Sequence, residues 1–290
     1  MIDPFVDVDW LERHRGEAVV ADCRWYLDGR SGCAAYEGGH LPGAVFVDLD
    51  TALTRHADPA EAGRHPLAEP DAFAAAMSAL GIGDEDTVVA YDDAGGAIAA
   101  RLVWMLRVTG HEAALLDGGL EAWRGELEAG AAVDLRSGNR TKGRPPRRGG
   151  AFSARPWPTE RLATIEETAA AALSADAAVI DARQRERFEG EADEVDPQAG
   201  HIPGALSVPC RENVDAAGRL LPAEQLRARF DFGGRPAEVI SYCGSGVTAC
   251  LNLLAMEQAG LGPGRLFPGS WSQWSRDPAR AVQTGAGPPR

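Results

Sequence analysis

The sequence predicts an α/β protein formed by tandem duplication of one domain, each copy a mainly parallel sheet flanked by helices. Three observations predict it. The two halves of the chain repeat one another, short apolar strands alternate with helical stretches, and one strand stops abruptly at a cysteine before a helix.

The repetition comes first, because missing it would misplace every later element. Val19-Val20-Ala21-Asp22-Cys23-Arg24 returns as Val179-Ile180-Asp181-Ala182-Arg183, and His40-Leu41-Pro42-Gly43-Ala44 as His201-Ile202-Pro203-Gly204-Ala205. Thr87-Val88-Val89-Ala90-Tyr91 returns as Glu238-Val239-Ile240-Ser241-Tyr242. Leu115-Leu116-Asp117-Gly118-Gly119, ending at Trp123, returns as Leu266-Phe267-Pro268-Gly269-Ser270, ending at Trp274. All four pairs keep their order at an offset of 151–161 residues. Chance is a poor explanation.

In the first copy a helix is expected over 71–80, a strand over 87–91, a helix over 97–108 and a strand over 113–116. Strands alternating with helices of this length argue for a parallel sheet, in which ligands sit beyond the C-terminal strand ends. Residues 131–158 are rich in Gly, Pro and Arg and read as an irregular strap between domains 1–130 and 159–290. The strap arginines Arg144, Arg147 and Arg148 read as a solvated face.

A length of 290 residues suits two domains, and 44% apolar with 25% charged residues is ordinary for a globular protein. No run approaches the roughly 18 apolar residues of a membrane span. The acidic start Met1-Ile2-Asp3-Pro4 lacks the pattern of a signal peptide, so a cytoplasmic location is expected. A net charge of −14 argues against nucleic acid as a partner, and no membrane partner is expected. It also requires that any anion site be built locally. Five cysteines without a Cys-x-x-Cys pair fit neither a disulfide framework nor a zinc site, so no metal and no cofactor is expected.

Cys23, Cys33, Cys210 and Cys250 read as small buried hydrophobes. Cys243 differs because of its neighbours. It follows the strand Val239–Tyr242 and precedes a helical stretch over 249–258, across the small residues Gly244-Ser245-Gly246-Val247-Thr248. Backbone N–H groups converging in such a turn, with a helix N-terminus behind them, favour a thiolate. Cys243 is therefore a candidate nucleophile. Cys250, two helical turns on, is too far for easy attack on it. At offset 151 Tyr91 matches Tyr242 and Asp92 stands in the place of Cys243. The first copy keeps the frame and lacks the nucleophile. His40 and His201, Asp22 and Asp181, and Trp123 and Trp274 recur in both copies and so belong to that frame.

The paired His-x-Pro-Gly-Ala motifs, the duplicated halves and the Cys243–Ala249 loop resemble the two-domain rhodanese family of sulfurtransferases, over about Val19 to Trp274. Within that family the loop is similar to those that use 3-mercaptopyruvate. The resemblance implies a non-catalytic rhodanese-like domain followed by a catalytic one, in which Cys243 accepts a sulfane sulfur as a persulfide. The sulfur then passes to a thiol or cyanide, a thioredoxin-like protein being one thiol acceptor. The N–H groups of Gly244, Gly246, Val247 and Thr248 are expected to cradle the sulfur, and Thr248 is a candidate helix cap. Ser245, His65 and Asp50 match a serine–histidine–aspartate set, in which a histidine held by a carboxylate orients the serine and handles the proton of the pyruvate enol. Arg187 matches the arginine that holds the donor's anionic group. Arg183 and Arg185 read as ion-paired, with Glu186 and Glu189 nearby. One departure stands out: the family usually has a second arginine before the His-x-Pro-Gly turn, where this chain has Glu191-Ala192-Asp193-Glu194-Val195-Asp196-Pro197. A strap arginine is one possible substitute.

Thiosulfate-using relatives carry basic residues after the cysteine, including a lysine in the place of Ser245. This chain has a single lysine, Lys142, in the strap. Mercaptopyruvate is the better-matched donor, with thiosulfate the alternative. A cysteine phosphatase would need arginine at position 249, which is Ala249. A catalytically silent sulfur carrier or scaffold is the remaining alternative.

Overall fold

Val, Ile, Leu and Ala runs bounded by turn residues form two parallel sheets. The computed structural model describes residues 1–131, 151–191, 195–234 and 236–287. The expectations placed on Lys142, Arg144, Arg147 and Arg148 fall outside the described residues. The first sheet comprises β1 (Phe5–Val6), β2 (Val19–Asp22), β3 (Val45–Phe46), β4 (Val88–Tyr91) and β5 (Ala113–Leu116), in the order β1-β5-β4-β2-β3. The second comprises β6 (Ala177–Asp181), β7 (Leu206–Ser207), β8 (Glu238–Tyr242) and β9 (Arg265–Leu266), in the order β7-β6-β8-β9. Every pairing is parallel. The duplication holds in register, since Asp22 pairs with Tyr91 and Asp181 with Tyr242.

The central strands are mostly apolar, and β4 is buried at every residue. By Cα packing the chain divides into two units. The first holds 1–55, 67–157 and 216–219; the second holds 56–66, 158–215 and 220–290. The short segment 56–66 thus belongs to the unit that carries Cys243. Among the described residues no helix is long and apolar enough to cross a membrane.

Helix boundaries follow local chemistry. Pro70 opens the helix Pro70–Ala79, one residue before the expected start, because proline is favoured in a first helical turn. The expected helix over 97–108 begins only at Ala99, because the N–H groups of Ile98 and Ala99 turn to the Asp92 carboxylate at 2.7 and 2.9 Å. The helix Ala249–Gln258 runs as its sequence predicts.

Each unit contains the same buried polar bolt. Asp22 accepts from Arg24 Nε and Nη2 (3.0 and 2.6 Å) and from the Tyr91 hydroxyl at 2.7 Å. Arg24 also donates to Gly39 O at 2.7 Å, and Tyr91 Oη accepts from Leu41 N–H at 3.0 Å. In the second unit Asp181 accepts from Arg183 Nε and Nη2 (3.0 and 2.6 Å), Arg183 donates to Gly200 O at 2.6 Å, and Tyr242 Oη accepts from Ile202 N–H at 3.2 Å. The bolt ties the ends of two central strands to the His-x-Pro-Gly turn. Burial and then the aspartate raise both tyrosines above their ordinary range, so they remain hydroxyl donors.

The turn histidines complete this frame. His40 bonds Tyr36 O through Nδ1 and stacks on the Tyr36 ring, and His201 bonds Phe188 O and stacks on Phe188. Desolvation lowers the pKa of His201. Both histidines are structural, as their recurrence in the two copies suggests.

Asp181→Ala is expected to destabilise the protein by about 3 kcal/mol or more, because it strands the buried Arg183 charge; urea unfolding measures this. Gly204→Ala is expected to cost about 2 kcal/mol or more. Gly204 has φ +86°, and a Cβ there would lie 2.1 Å from Ala172 O. An unchanged unfolding midpoint in either variant would contradict these assignments.

Candidate active site

Cys243 stands one residue beyond β8, with its side chain almost wholly enclosed at 1% exposure. The loop that follows is fastened to the helix Ser270–Trp274. Cys243 N–H donates to Ser270 Oγ at 3.1 Å, Trp271 N–H donates to Cys243 O at 2.9 Å, and Ser272 N–H donates to Gly244 O at 2.8 Å. Ser270 holds a left-handed φ of 51°, which favours glycine. Its counterpart in the first copy, at offset 151, is Gly119 with φ 55°. The second unit retains this strained backbone with a serine whose hydroxyl accepts the cysteine N–H and donates to Phe267 O at 2.9 Å.

Gly246 turns the loop back on the sulfur. Its φ is +76°, and a Cβ there would lie 2.4 Å from Pro268 O, so only glycine fits. Gly246 N–H donates to Cys243 Sγ at 3.1 Å. The twin loop shows what such a turn binds: the Asp92 carboxylate accepts N–H bonds from Ala94, Gly96, Ile98 and Ala99 at 2.7–2.9 Å. The fold at this strand end gathers backbone donors around a negative group.

Thr248 occupies the N-cap position, but its side chain makes no capping bond. It hydrogen-bonds the Cys210 thiol instead. Burial, then the nearby Cys243, pushes the Cys210 thiol up to about 12, which keeps it protonated. Burial likewise raises Cys23. Cys250 lies inside the helix and donates to Gly246 O at 3.5 Å. These three, with Cys33 only half-buried rather than buried, match the packing role read from the sequence.

His65 Nδ1 lies 2.7 Å from Ser245 Oγ, both side chains being buried. The segment that brings His65 there is pinned at three points. Gly63, at φ +81°, packs so tightly that a Cβ would lie 2.4 Å from Gly269 O. Arg64 N–H donates to Ser272 Oγ at 3.0 Å, and Gln273 Nε2 donates to Glu61 O at 2.6 Å. Asp50 belongs to the first unit. It sits in the one-turn helix Leu49–Ala52, capped by Asp48, and accepts from Trp25 Nε1 at 3.1 Å.

Arg187, on the helix Arg185–Glu189, donates through Nη2 to Asp196 Oδ2 at 3.1 Å. Arg64 Nη1 and Arg276 Nη1 both reach Asp196 Oδ1. The remaining arginines of this region pair differently from expectation: Arg183 with Asp181, and Arg185 with Glu212 at 2.7 Å rather than with Glu186 or Glu189. Those two glutamates lie on the same short helix as Arg185, whereas Glu212 lies across from it and also pairs with Arg229. Sequence reasoning assigned no role to Arg64, Asp196 or Arg276. The available signals were that Arg64 precedes His65 and that Asp196 ends the acidic run.

One unit therefore collects a thiol under a backbone donor, a hydroxyl–imidazole pair, and guanidinium groups beside the residue after the thiol. These are the parts of a site that attacks an anionic substrate with sulfur and moves a proton.

Comparison with known proteins agrees with this geometry. The rhodanese-like domain model matches residues 7–126 and again 164–277. A probable 3-mercaptopyruvate sulfurtransferase from Pseudomonas aeruginosa is 42% identical over 93% of both chains. A putative thiosulfate sulfurtransferase from Mycobacterium tuberculosis is 41% identical over 92% of this chain and 90% of its own. The crystal structure of the Escherichia coli 3-mercaptopyruvate sulfurtransferase superposes with a TM-score of 0.77 and 34% identity, covering 93% of this chain and 99% of that one. With two matched domains and full-length relatives of this similarity, the chain belongs to the rhodanese family.

Proposed function

We propose that this chain is a sulfurtransferase that takes the sulfur of 3-mercaptopyruvate onto Cys243 as a persulfide and delivers it to a thiol or cyanide. The 2.7 Å contact between His65 and Ser245, two residues from the nucleophile, carries this reading. The named relatives from P. aeruginosa and E. coli support the same donor.

The step balances as follows. The Cys243 thiolate attacks the donor sulfur and forms an S–S bond. The donor's C–S bond breaks, and its electron pair leaves on carbon as the enolate of pyruvate. A proton delivered to that carbon gives pyruvate. Gly246 N–H, already 3.1 Å from Sγ, steadies the negative sulfur, and the N–H groups of Gly244, Val247 and Thr248 are the further donors of the cradle. Ser245 and His65 relay the proton to the leaving group. Asp50 is the carboxylate member of this set on the family pattern. Arg187 holds the donor carboxylate, and a thioredoxin-like thiol is a fitting acceptor. Thiosulfate is the second reading, favoured by the cationic side chains around Asp196 and by the M. tuberculosis relative's name.

Intact mass spectrometry after incubation with 3-mercaptopyruvate is expected to show one added sulfur in the wild type and none in Cys243→Ser. Absence of the adduct from the wild type with both donors would end the sulfurtransferase reading. Ser245→Ala is expected to lower kcat with 3-mercaptopyruvate by roughly 10²-fold and to leave thiosulfate turnover within about threefold, since only the enolate leaving group needs a proton. Equal losses with the two donors would remove Ser245 from the proton path.

A further inference from the structure

Three arginines from distant parts of the sequence meet one carboxylate beside the nucleophile. The Asp196 side chain is fully buried. Arg64 Nη1 and Arg276 Nη1 (3.2 Å) bond its Oδ1, and Arg187 Nη2 bonds Oδ2 at 3.1 Å. Three guanidinium groups thus gather on one carboxylate, in a chain whose net charge is −14.

Two of the three reach beyond Asp196 to the cysteine loop. A Cβ placed on Gly244 would lie 3.1 Å from Arg64 Nη2 and 3.5 Å from Arg187 Nη1. Both guanidinium groups therefore converge on Gly244, one residue from Cys243, where any larger residue would crowd Arg64. Among the described residues Arg64 Nε is buried without a hydrogen-bond partner, so this guanidinium retains donor capacity. Arg276 is engaged otherwise, donating at 2.7 Å to Ser272 O as well as to Asp196.

We propose that Arg64 is the second guanidinium of the donor anchor: with Arg187 it holds the carboxylate of a 2-oxo-3-thiol acid over Gly244, while Asp196 fixes the two arginines as a positioning residue. The proposal rests on the 3-mercaptopyruvate reading and names a residue of that site. It accounts for the acidic stretch where an arginine was expected. A carboxylate has two oxygens and matches two planar donors. Asp196 supplies the charge that lets three arginines pack together, and the cation arrives from the segment that also delivers His65. The donor sulfur lies three bonds from its carboxyl carbon, so a carboxylate held over Gly244 keeps that sulfur near Cys243.

The test compares Arg64→Gln and Arg64→Lys with Arg276→Gln, which removes an equal charge from the same carboxylate. For Arg64→Gln the KM for 3-mercaptopyruvate is expected to rise about tenfold or more with kcat within about twofold. Arg64→Lys is expected to recover part of that loss, and Arg276→Gln to stay within about threefold of wild type. Peptide-level rates of Cys243 alkylation by iodoacetate and by iodoacetamide give a readout that needs no turnover. The iodoacetate rate alone is expected to fall in Arg64→Gln, because the neutral reagent has no carboxylate to hold. An unchanged KM, a kcat loss without a KM change, or equal slowing of both reagents overturns the anchor. A wild type that takes no sulfur from 3-mercaptopyruvate yet retains the alkylation preference overturns the donor reading instead.

Discussion

The geometry of both units depends on a turn of backbone N–H groups just past the end of a central strand. In the first unit that turn closes on the carboxylate of Asp92, which accepts four N–H bonds. In the second it closes on the sulfur of Cys243, with Gly246 N–H at 3.1 Å. A nest of donors is costly to bury unless something negative fills it. Asp92 supplies the acceptor for all four N–H groups. Cys243 places a thiol there, the group that the proposed mechanism converts to a persulfide. On the proposed mechanism the two units differ by the exchange of this acceptor for a nucleophile, within a shared frame.

The unchanged parts of that frame show where function altered it. The Asp–Arg–Tyr bolt is repeated almost atom for atom, with the Arg Nη2–Asp bond at 2.6 Å in both units. The conformation at Gly119 and Ser270 is shared as well, but the residue is not. A serine at a left-handed φ costs roughly 1 kcal/mol or more, and nothing in the first unit requires it. In the second unit its hydroxyl takes the N–H of Cys243. The strained serine thus fixes the backbone of the residue that the proposed mechanism makes the nucleophile.

Much of this was legible in the sequence, for physical reasons that also mark the limit. Alternating apolar runs and internal repetition gave the strands and the duplication, because strand burial and turn chemistry are local. The helix Ala249–Gln258 followed from small residues ahead of an apolar run. The start of the helix at Ala99 did not, because a side chain seven residues earlier holds its first N–H groups. Thr248 looked like a cap and bonds Cys210 instead, a choice made by tertiary packing. The Arg64–Asp196 contact spans 132 residues and the Arg276–Asp196 contact 80, and no periodicity or motif encodes such pairs. The acidic run at Glu191–Pro197 therefore looked like the loss of a cation. In the fold, Asp196 is the point on which cations converge.

Charge alone does not choose the donor. At physiological ionic strength fields are screened over about 8 Å, so the −14 of the whole chain reaches the loop weakly and the arginines at contact distance dominate. Those arginines would attract a carboxylate and a thiosulfate dianion alike. The two donors differ in what leaves when sulfur transfers. Sulfite departs as a stable anion and needs no proton on the reacting atom. The enolate of pyruvate is a far stronger base, and its departure is eased when a proton is delivered to carbon. On the proposed mechanism the buried Ser245–His65 pair would serve the enolate and not sulfite, and the loop that carries Ser245 is free of basic residues. On that mechanism discrimination therefore belongs to the proton path, whereas the arginines would set how tightly either anion is held.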